Sequence, residues 1–336
     1  MTVREIMEER EYDFLSPFAT KSKESKGRRI YEKACDLRTD FQRDVDRITH
    51  SKAFRRLMHK TQVFLSPSKD HYRTRLTHTL EVSQIARAIS RGLSLNETLT
   101  EAIALGHDLG HTPFGHIGED VLNSICEHGF MHNEQSLRVV DFYEKEKGLN
   151  LTMEVRDGIL NHQTSTMPHT LEGKVVRFSD KIAYVNSDFD DAIRAQILCE
   201  EDVPLELRKC IGFSTRERLD HFIHDIITNS FGKDDIIMSK ETEDGLKEFR
   251  AFMFENVYRN PVAKSEEKKA KVMLKQLYNF YLDNLQELPY NLLRMIEQGT
   301  DEGRVVCDYI SGMTDQYAIT KFKEYFVPLE WQVKGY

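Results

Sequence analysis

Apolar residues return at steps of three and four along most of this 336-residue chain. Side chains spaced this way share one face of a helix, whereas a half-buried strand needs alternation by two. Phe41, Val45, Ile48 and Lys52 follow the helical step, and Ala53 and Leu57 continue it. Val82, Ile85, Ala86 and Ile89 stand at i, i+3, i+4 and i+7. Residues 266–288 mix charges with Val272, Leu274, Leu277, Phe280, Tyr281 and Leu285. No long alternating run marks a sheet; only 61–65 and 234–238 have the character of short strands. The chain is therefore expected to be all-α.

Clusters of Gly, Pro, Ser, Asp or His predict loops at 16–26, 66–71, 128–132, 164–170, 198–204 and 232–235. The composition changes after about residue 197, with clustered histidines before it and longer amphipathic helices after. The expected division is an N-terminal arm with a first, partly flexible helix over 1–40, a core over 41–197, and a C-terminal helical region over 198–336 packed on that core.

Charge narrows the function. With 47 Lys and Arg against 55 Asp and Glu the net charge is −8, which does not suit a nucleic-acid coat. The basic residues concentrate at 21–29 and 43–75, where spacing alone favours salt-bridged helix faces over an anion site. Five scattered cysteines without a CxxC pair fit free thiols in a reducing cytoplasm. No window approaches the roughly 18–20 apolar residues of a membrane span, and the charged N-terminus has no apolar signal core, so a cytoplasmic protein away from membranes is expected.

Four residues spread over three predicted helices carry the chemistry. His78 lies four before Val82 and seven before Ile85, which puts it on the buried face of its helix. A lone buried histidine is more often a hydrogen-bonded core residue than a ligand. His107-Asp108 closes an apolar helix near Gly110, where an imidazole and a carboxylate can converge on one cation. Nitrogen and oxygen donors without thiolate suit Mn²⁺, Mg²⁺, Fe, Co²⁺, Ni²⁺ or Zn²⁺. Asp180 shares a face with Val176, Tyr184 and Asp188 at steps of four. An acid there is either paired with Arg177 or Lys181 or bound to a metal. The pattern H…HD…D is far more specific than any of its pieces.

With His78 before it and Asp180 after it, the run HDLGHTPFGHIGE at 107–119 resembles the HD-domain superfamily. More narrowly the chain is similar to the dGTPase-like deoxynucleoside triphosphate triphosphohydrolases. FRRLMHKTQVF at 54–64, RTRLTH at 73–78, HNEQS at 132–136 and DKIAY at 180–184 carry the likeness. It covers roughly residues 28–195 and weakens through the C-terminal helices.

The resemblance implies an HD-domain helical fold with additional C-terminal helices. It implies a divalent metal on His78, His107, Asp108 and Asp180, and hydrolysis of a dNTP at the α-phosphorus to deoxynucleoside and inorganic triphosphate. His116 matches the family's catalytic histidine, Glu119 the acid that orients it, and His111 a phosphate contact. Arg75 and Lys181 match phosphate-binding cations. Tyr184 and Asp188 match residues that meet the deoxyribose, Arg56 and Gln62 are expected to read sugar or base, and Glu134 is expected to support the site. A homo-oligomer, and an activator nucleotide or single-stranded DNA as further partners, follow from relatives only. The chain is short for the family and lacks an interleaved basic and aromatic pattern. Two alternatives remain open. One is an HD nucleotidase or phosphodiesterase on another nucleotide, for which His132, His162 and His169 leave room for a second metal. The other is a nucleotide- or DNA-binding regulator with little catalysis.

Overall fold

The computed structural model describes residues 1–62, 73–145, 148–259 and 266–328. Sixteen α-helices follow one another among them: α1 Val3–Phe14, α2 Asp40–Thr49, α3 Lys52–Arg56, α4 Arg75–Gly92, α5 Glu97–Gly106, α6 His116–Ile125, α7 His132–Arg138, α8 Met153–Asn161 and α9 Leu171–Arg194, then α10 Leu205–Ile211, α11 Thr215–Ser230, α12 Lys240–Met253, α13 Glu267–Asp283, α14 Tyr290–Glu297, α15 Glu302–Ser311 and α16 Asp315–Phe326. No strand occurs among the described residues, so the all-α expectation holds. Thr61 makes one isolated bridge to Thr74, and 63–65 lie outside the described residues, as does the predicted loop at 66–71. The other expected strand, 234–238, is irregular. Its apolar residues find a core and no partner strand: Ile236 and Met238 are buried, and the Ile237 N–H donates to Ser230 Oγ at 2.8 Å.

Three helices build the centre. Helix α4 packs along α9 and α5, and α5 also touches α2 and α8. The α4 start is fixed by Thr74 and Thr77, each hydroxyl accepting the other's backbone N–H at 3.4 and 3.0 Å. Val82, Ile85, Ala86 and Ile89 are buried as their spacing requires; each Val or Ile so placed contributes roughly 1.5–3 kcal/mol. On α9, Val176, Ile182, Val185 and Phe189 are likewise buried. This core runs from Ala19 to Val257 along the chain.

A second apolar cluster joins α6 to the C-terminal helices. Phe114, Ile117, Val121 and Leu122 meet Leu274, Leu277 and Tyr281 of α13, and Val305, Val306 and Ile310 of α15. Val272, on the same stretch of α13, faces solvent instead. Helix α6 is thus shared: its start belongs to the site described below and its apolar face to the C-terminal lobe.

The basic segments are largely ion-paired. Arg28 meets Asp44, Arg43 and Arg47 meet Glu32, and Arg73 meets Glu81, Asp190 and Asp191. All five cysteines are free. No described helix is long and apolar enough to cross a membrane.

Candidate active site

The turn after α5 is held by one serine. Ser136 Oγ accepts the Gly110 N–H at 2.9 Å and donates to the His107 carbonyl at 2.7 Å. Gly110 lies so close to α7 that a Cβ there would sit 2.1 Å from the Ser136 nitrogen. Only glycine permits that approach, which explains both the glycine of the 107–119 run and the serine of HNEQS.

This turn aims His107 inward. Its Nδ1 sits 2.7 Å from the Ala104 carbonyl, which can only accept, so Nδ1 carries the proton. Nε2 is buried without a hydrogen-bond partner. It faces Asp108 Oδ2 and Asp180 Oδ1, each at 3.7 Å. His78 Nε2, from the first turn of α4, lies 3.1 Å from the same Asp180 oxygen. A bare imidazole lone pair facing two carboxylate oxygens is unfavourable unless a cation lies between them. The ligand atoms of His78, His107 and Asp108 fall within 4.8 Å of one another, a group that could hold a metal ion. Burial would raise the Asp180 carboxyl, but the hydrogen bond from His78 and the nearby imidazoles hold it well below the usual range. Arg75 Nη1 donates to Asp108 Oδ2 at 2.7 Å, with both side chains buried.

A second row of histidines lies beside this group. The His111 ring stacks on His132 with centroids 4.7 Å apart, and both His111 nitrogens are buried without partners. His132 Nδ1 donates to Glu119, 2.9 Å from either carboxylate oxygen, and Glu119 also accepts the His132 N–H at 2.9 Å. His116 Nδ1 is 3.5 Å from Glu119 Oε2, and the His116 side chain is 61% exposed. Glu119 is therefore bonded first to His132 and reaches His116 only loosely. Burial would lower His132, but Glu119 holds it above its ordinary value; burial and Arg75 push His111 well below. His162 Nε2 is 3.2 Å from His132 Nε2, and burial with His107 nearby pushes it down to about 4.

A cavity of about 550 Å³ opens above these residues. Gln62, Arg75, His78, Asp108, His111, His116, Asp180, Lys181 and Tyr184 line it, as do His132, His162, Arg177, Glu243, Lys247 and Arg250. Five of these are cationic: Arg75, Arg177, Lys181, Lys247 and Arg250. Burial, then Arg177 and Arg250, push Lys181 down to about 8. Tyr184 closes one end, 6.4 Å between centroids from His116 and stacked on Tyr258 at 5.6 Å and 17°. Tyr258 Oη donates to Asp188 Oδ2 at 2.5 Å. Burial raises Asp188 to about 7.

Five predicted residues do not line the cavity: His107 and Glu119, which contact residues that do, and three that turn elsewhere. Arg56 turns to Glu144 at 3.8 Å, Glu134 is exposed at the start of α7, and Asp188 lies behind Tyr258. His169 sits at the surface with Asp157, at 2.7 Å, and does not join His132 and His162. Sequence reasoning missed His132 as the partner of Glu119, and missed the α12 residues. Glu243, Leu246, Lys247 and Arg250 follow the helical step, but a mixed, mostly charged face carries no apolar signal. Beyond them the chain continues as a π-helix, Phe254–Tyr258, which presents Tyr258 to Asp188.

Comparison with known proteins fits this geometry. The HD-domain family model matches residues 75–185, and a model described as a phosphohydrolase-associated domain matches 236–324. A protein of Caldanaerobacter subterraneus subsp. tengcongensis, named deoxyguanosinetriphosphate triphosphohydrolase-like, is 59% identical over 332 residues, covering 98% of each chain. One of the same name from Clostridium tetani is 48% identical, covering 98% of this chain and 97% of its own. The crystal structure of a phosphohydrolase from Bacteroides thetaiotaomicron shares the fold, with a TM-score of 0.53 at 18% identity over 84% of this chain and 68% of that one. The chain belongs to the HD-domain hydrolases, within the deoxyguanosinetriphosphate triphosphohydrolase-like group.

Proposed function

We propose that this hydrolase acts on a deoxynucleoside triphosphate, cleaving at the α-phosphorus to release deoxynucleoside and inorganic triphosphate. The observation that carries the proposal is the convergence of five cationic side chains, a histidine row and the His78–His107–Asp108 group on one cavity. A polyphosphate is the ligand that such a set of cations suits, and guanidinium groups bind phosphate oxygens with paired donors.

His78, His107, Asp108 and Asp180 would hold a divalent cation, and the orphaned Nε2 of His107 supports that assignment. When bound, such a cation supplies Lewis-acid polarisation of a phosphate and acidifies the attacking water. The remaining work falls to the chain's own side chains. Arg75, Lys181 and Arg250 orient the triphosphate, and Arg177 and Lys247 extend the same wall. His111, kept neutral, donates a hydrogen bond to a phosphate oxygen. His116 faces Glu119 through Nδ1, which leaves Nε2 toward the cavity to deliver a proton to the leaving 5′-oxygen. Glu119 steadies both His116 and His132. Tyr184, backed by the stacked Tyr258, forms the wall against the sugar, and a flat ring there leaves little room for a 2′-hydroxyl.

A two-metal phosphodiesterase is the competing possibility, because Asp108, His111 and His132 also lie within 4.8 Å of one another. The Arg75 guanidinium, 2.7 Å from Asp108 Oδ2, already places a positive charge on that carboxylate and disfavours a second cation. The test is a panel of dNTPs and NTPs, single and mixed, with Mn²⁺-loaded protein. Triphosphate release from dNTPs that disappears in Asp180→Asn and His116→Ala is expected. Activity untouched by Asp180→Asn, or equal turnover of NTPs and dNTPs, would remove the basis of the proposal.

A further inference from the structure

The turn that carries His111 and His116 is strained. Phe114 has φ 62° and Gly115 φ 60°, two successive left-handed residues, one of them a bulky non-glycine. Such a conformation persists only where its surroundings enforce it. Here the surroundings come from distant parts of the chain. The Phe114 N–H donates to Asp315 Oδ1 at 2.9 Å. Asp315 Oδ2 accepts the Thr61 N–H at 3.0 Å and also the Thr61 hydroxyl. Lys60 Nζ donates to the His111 carbonyl and to the Ser311 carbonyl, the latter at 2.7 Å. Lys60 and Asp315 are almost fully buried, at 2% and 4% exposure.

Asp315 opens α16 and Ser311 ends α15, so both anchors belong to the C-terminal lobe. Thr61 is followed by Gln62 in the cavity wall and is bridged to Thr74, next to Arg75. The buried Phe114 ring packs in the same apolar cluster as α13 and α15, and the Thr112 hydroxyl donates to the Gly115 carbonyl at 2.8 Å within the turn, but neither contact ties the backbone of the turn to the starts and ends of α15 and α16. The two buried side chains do.

We propose that Lys60 and Asp315 are positioning residues that clasp the His111–His116 turn to the C-terminal helices, so that the rate of the chemical step depends on the C-terminal lobe. Neither residue lines the cavity or touches the His78–His107–Asp108–Asp180 group. The kinetic part rests on the triphosphohydrolase proposal; the clasp itself does not.

The test uses full-length Mn²⁺-loaded protein with Asp315→Asn and Lys60→Met, and with exposed Gln316→Ala as the control. An amide at 315 keeps the shape but turns an NH₂ toward one of its N–H partners. A displacement of about 1 Å at a catalytic group can reduce rate about 100-fold, so kcat is expected to fall 10- to 100-fold with KM and bound metal little changed. Hydrogen exchange in the peptide over 111–119 is expected to accelerate in both variants and not in Gln316→Ala. Lys60→Met removes both Nζ hydrogen bonds at similar volume and covers the case in which Asp315→Asn fails to fold. The clasp is overturned if exchange over 111–119 is unchanged. Its kinetic role is overturned if kcat stays within about twofold, or falls only in step with metal content or folded fraction. A wild-type protein that releases no triphosphate would instead overturn the assigned reaction, and the exchange measurement would still decide the clasp.

Discussion

Asp180→Asn separates a metal ligand from a structural acid. In the folded protein Asp180 Oδ1 lies 3.1 Å from His78 Nε2 and 3.7 Å from His107 Nε2. Without metal, the amide oxygen can keep the His78 hydrogen bond, so only its charge assistance is lost, about 1–2 kcal/mol. With metal, a full ligand charge is lost. Changes to groups that merely support metal ligands weaken binding about 10- to 100-fold, so at least about 100-fold is expected here. If about 1 mM Mn²⁺ is 1,000 times the wild-type Kd, binding stabilises by about 4 kcal/mol, and a 100-fold loss leaves about 1.4 kcal/mol. At about 2 °C per kcal/mol for a chain of this size, the Mn²⁺-induced rise in Tm should shrink from about 8 °C to about 3 °C. The metal-free Tm should fall by only about 2–4 °C. Differential scanning fluorimetry with and without Mn²⁺, after chelator treatment, reads both. An undiminished metal-induced rise in the variant would refute Asp180 as a ligand. A collapse of the metal-free Tm with no metal effect in either protein would reduce it to a structural acid.

Other outcomes follow from the same geometry. Glu119→Gln should lower kcat by about 100-fold or more through the loss of both histidine contacts, while Mn²⁺ content by elemental analysis stays unchanged; an unchanged kcat would detach Glu119 from His116. Arg250→Ala should raise KM for the nucleotide by about tenfold or more, the scale of one charged hydrogen bond, with a smaller effect on kcat; an unaltered KM in steady-state assays would take α12 out of the phosphate wall. Glu32 is held down at about 2 by its hydrogen bond to Arg47, with help from Asn150 and Arg43. A depressed carboxylate stabilises the fold above its unfolded pKa and loses that contribution as pH falls toward its folded value. Glu32→Gln should therefore cost about 1–2 kcal/mol at pH 7, after discount for its partial exposure, and almost nothing near pH 2. Urea midpoints with equal losses at both pH values would contradict this.

The helices and one layer of the site were legible because they are written in local period. Val82, Ile85 and Ala86 fix the rotation of α4, and with it the inward direction of His78. Val176, Asp180 and Tyr184 do the same for α9. What escaped depends on contacts that no period records. Glu119 finds His132 thirteen residues on, across a loop, whereas local helical spacing points only to His116, three residues before it. Arg56 belongs to a recognisable run but pairs with the distant Glu144 instead of lining the cavity, a contact that no local period records. The 234–238 segment has the apolar pattern of a strand, yet it packs as an irregular link between α11 and α12. Asp315 meets Thr61 across 254 residues, and Lys60 meets Ser311 across 251, separations beyond any local signal.

The most direct measurement is ³¹P NMR of the products formed from a dNTP by Mn²⁺-loaded protein in H₂¹⁸O. The predicted products are deoxynucleoside and inorganic triphosphate, with the label on a terminal phosphorus of the triphosphate, as attack at the α-phosphorus with loss of the 5′-oxygen requires. Nucleoside monophosphate with pyrophosphate, nucleoside diphosphate with orthophosphate, or label in the deoxynucleoside would contradict that chemistry.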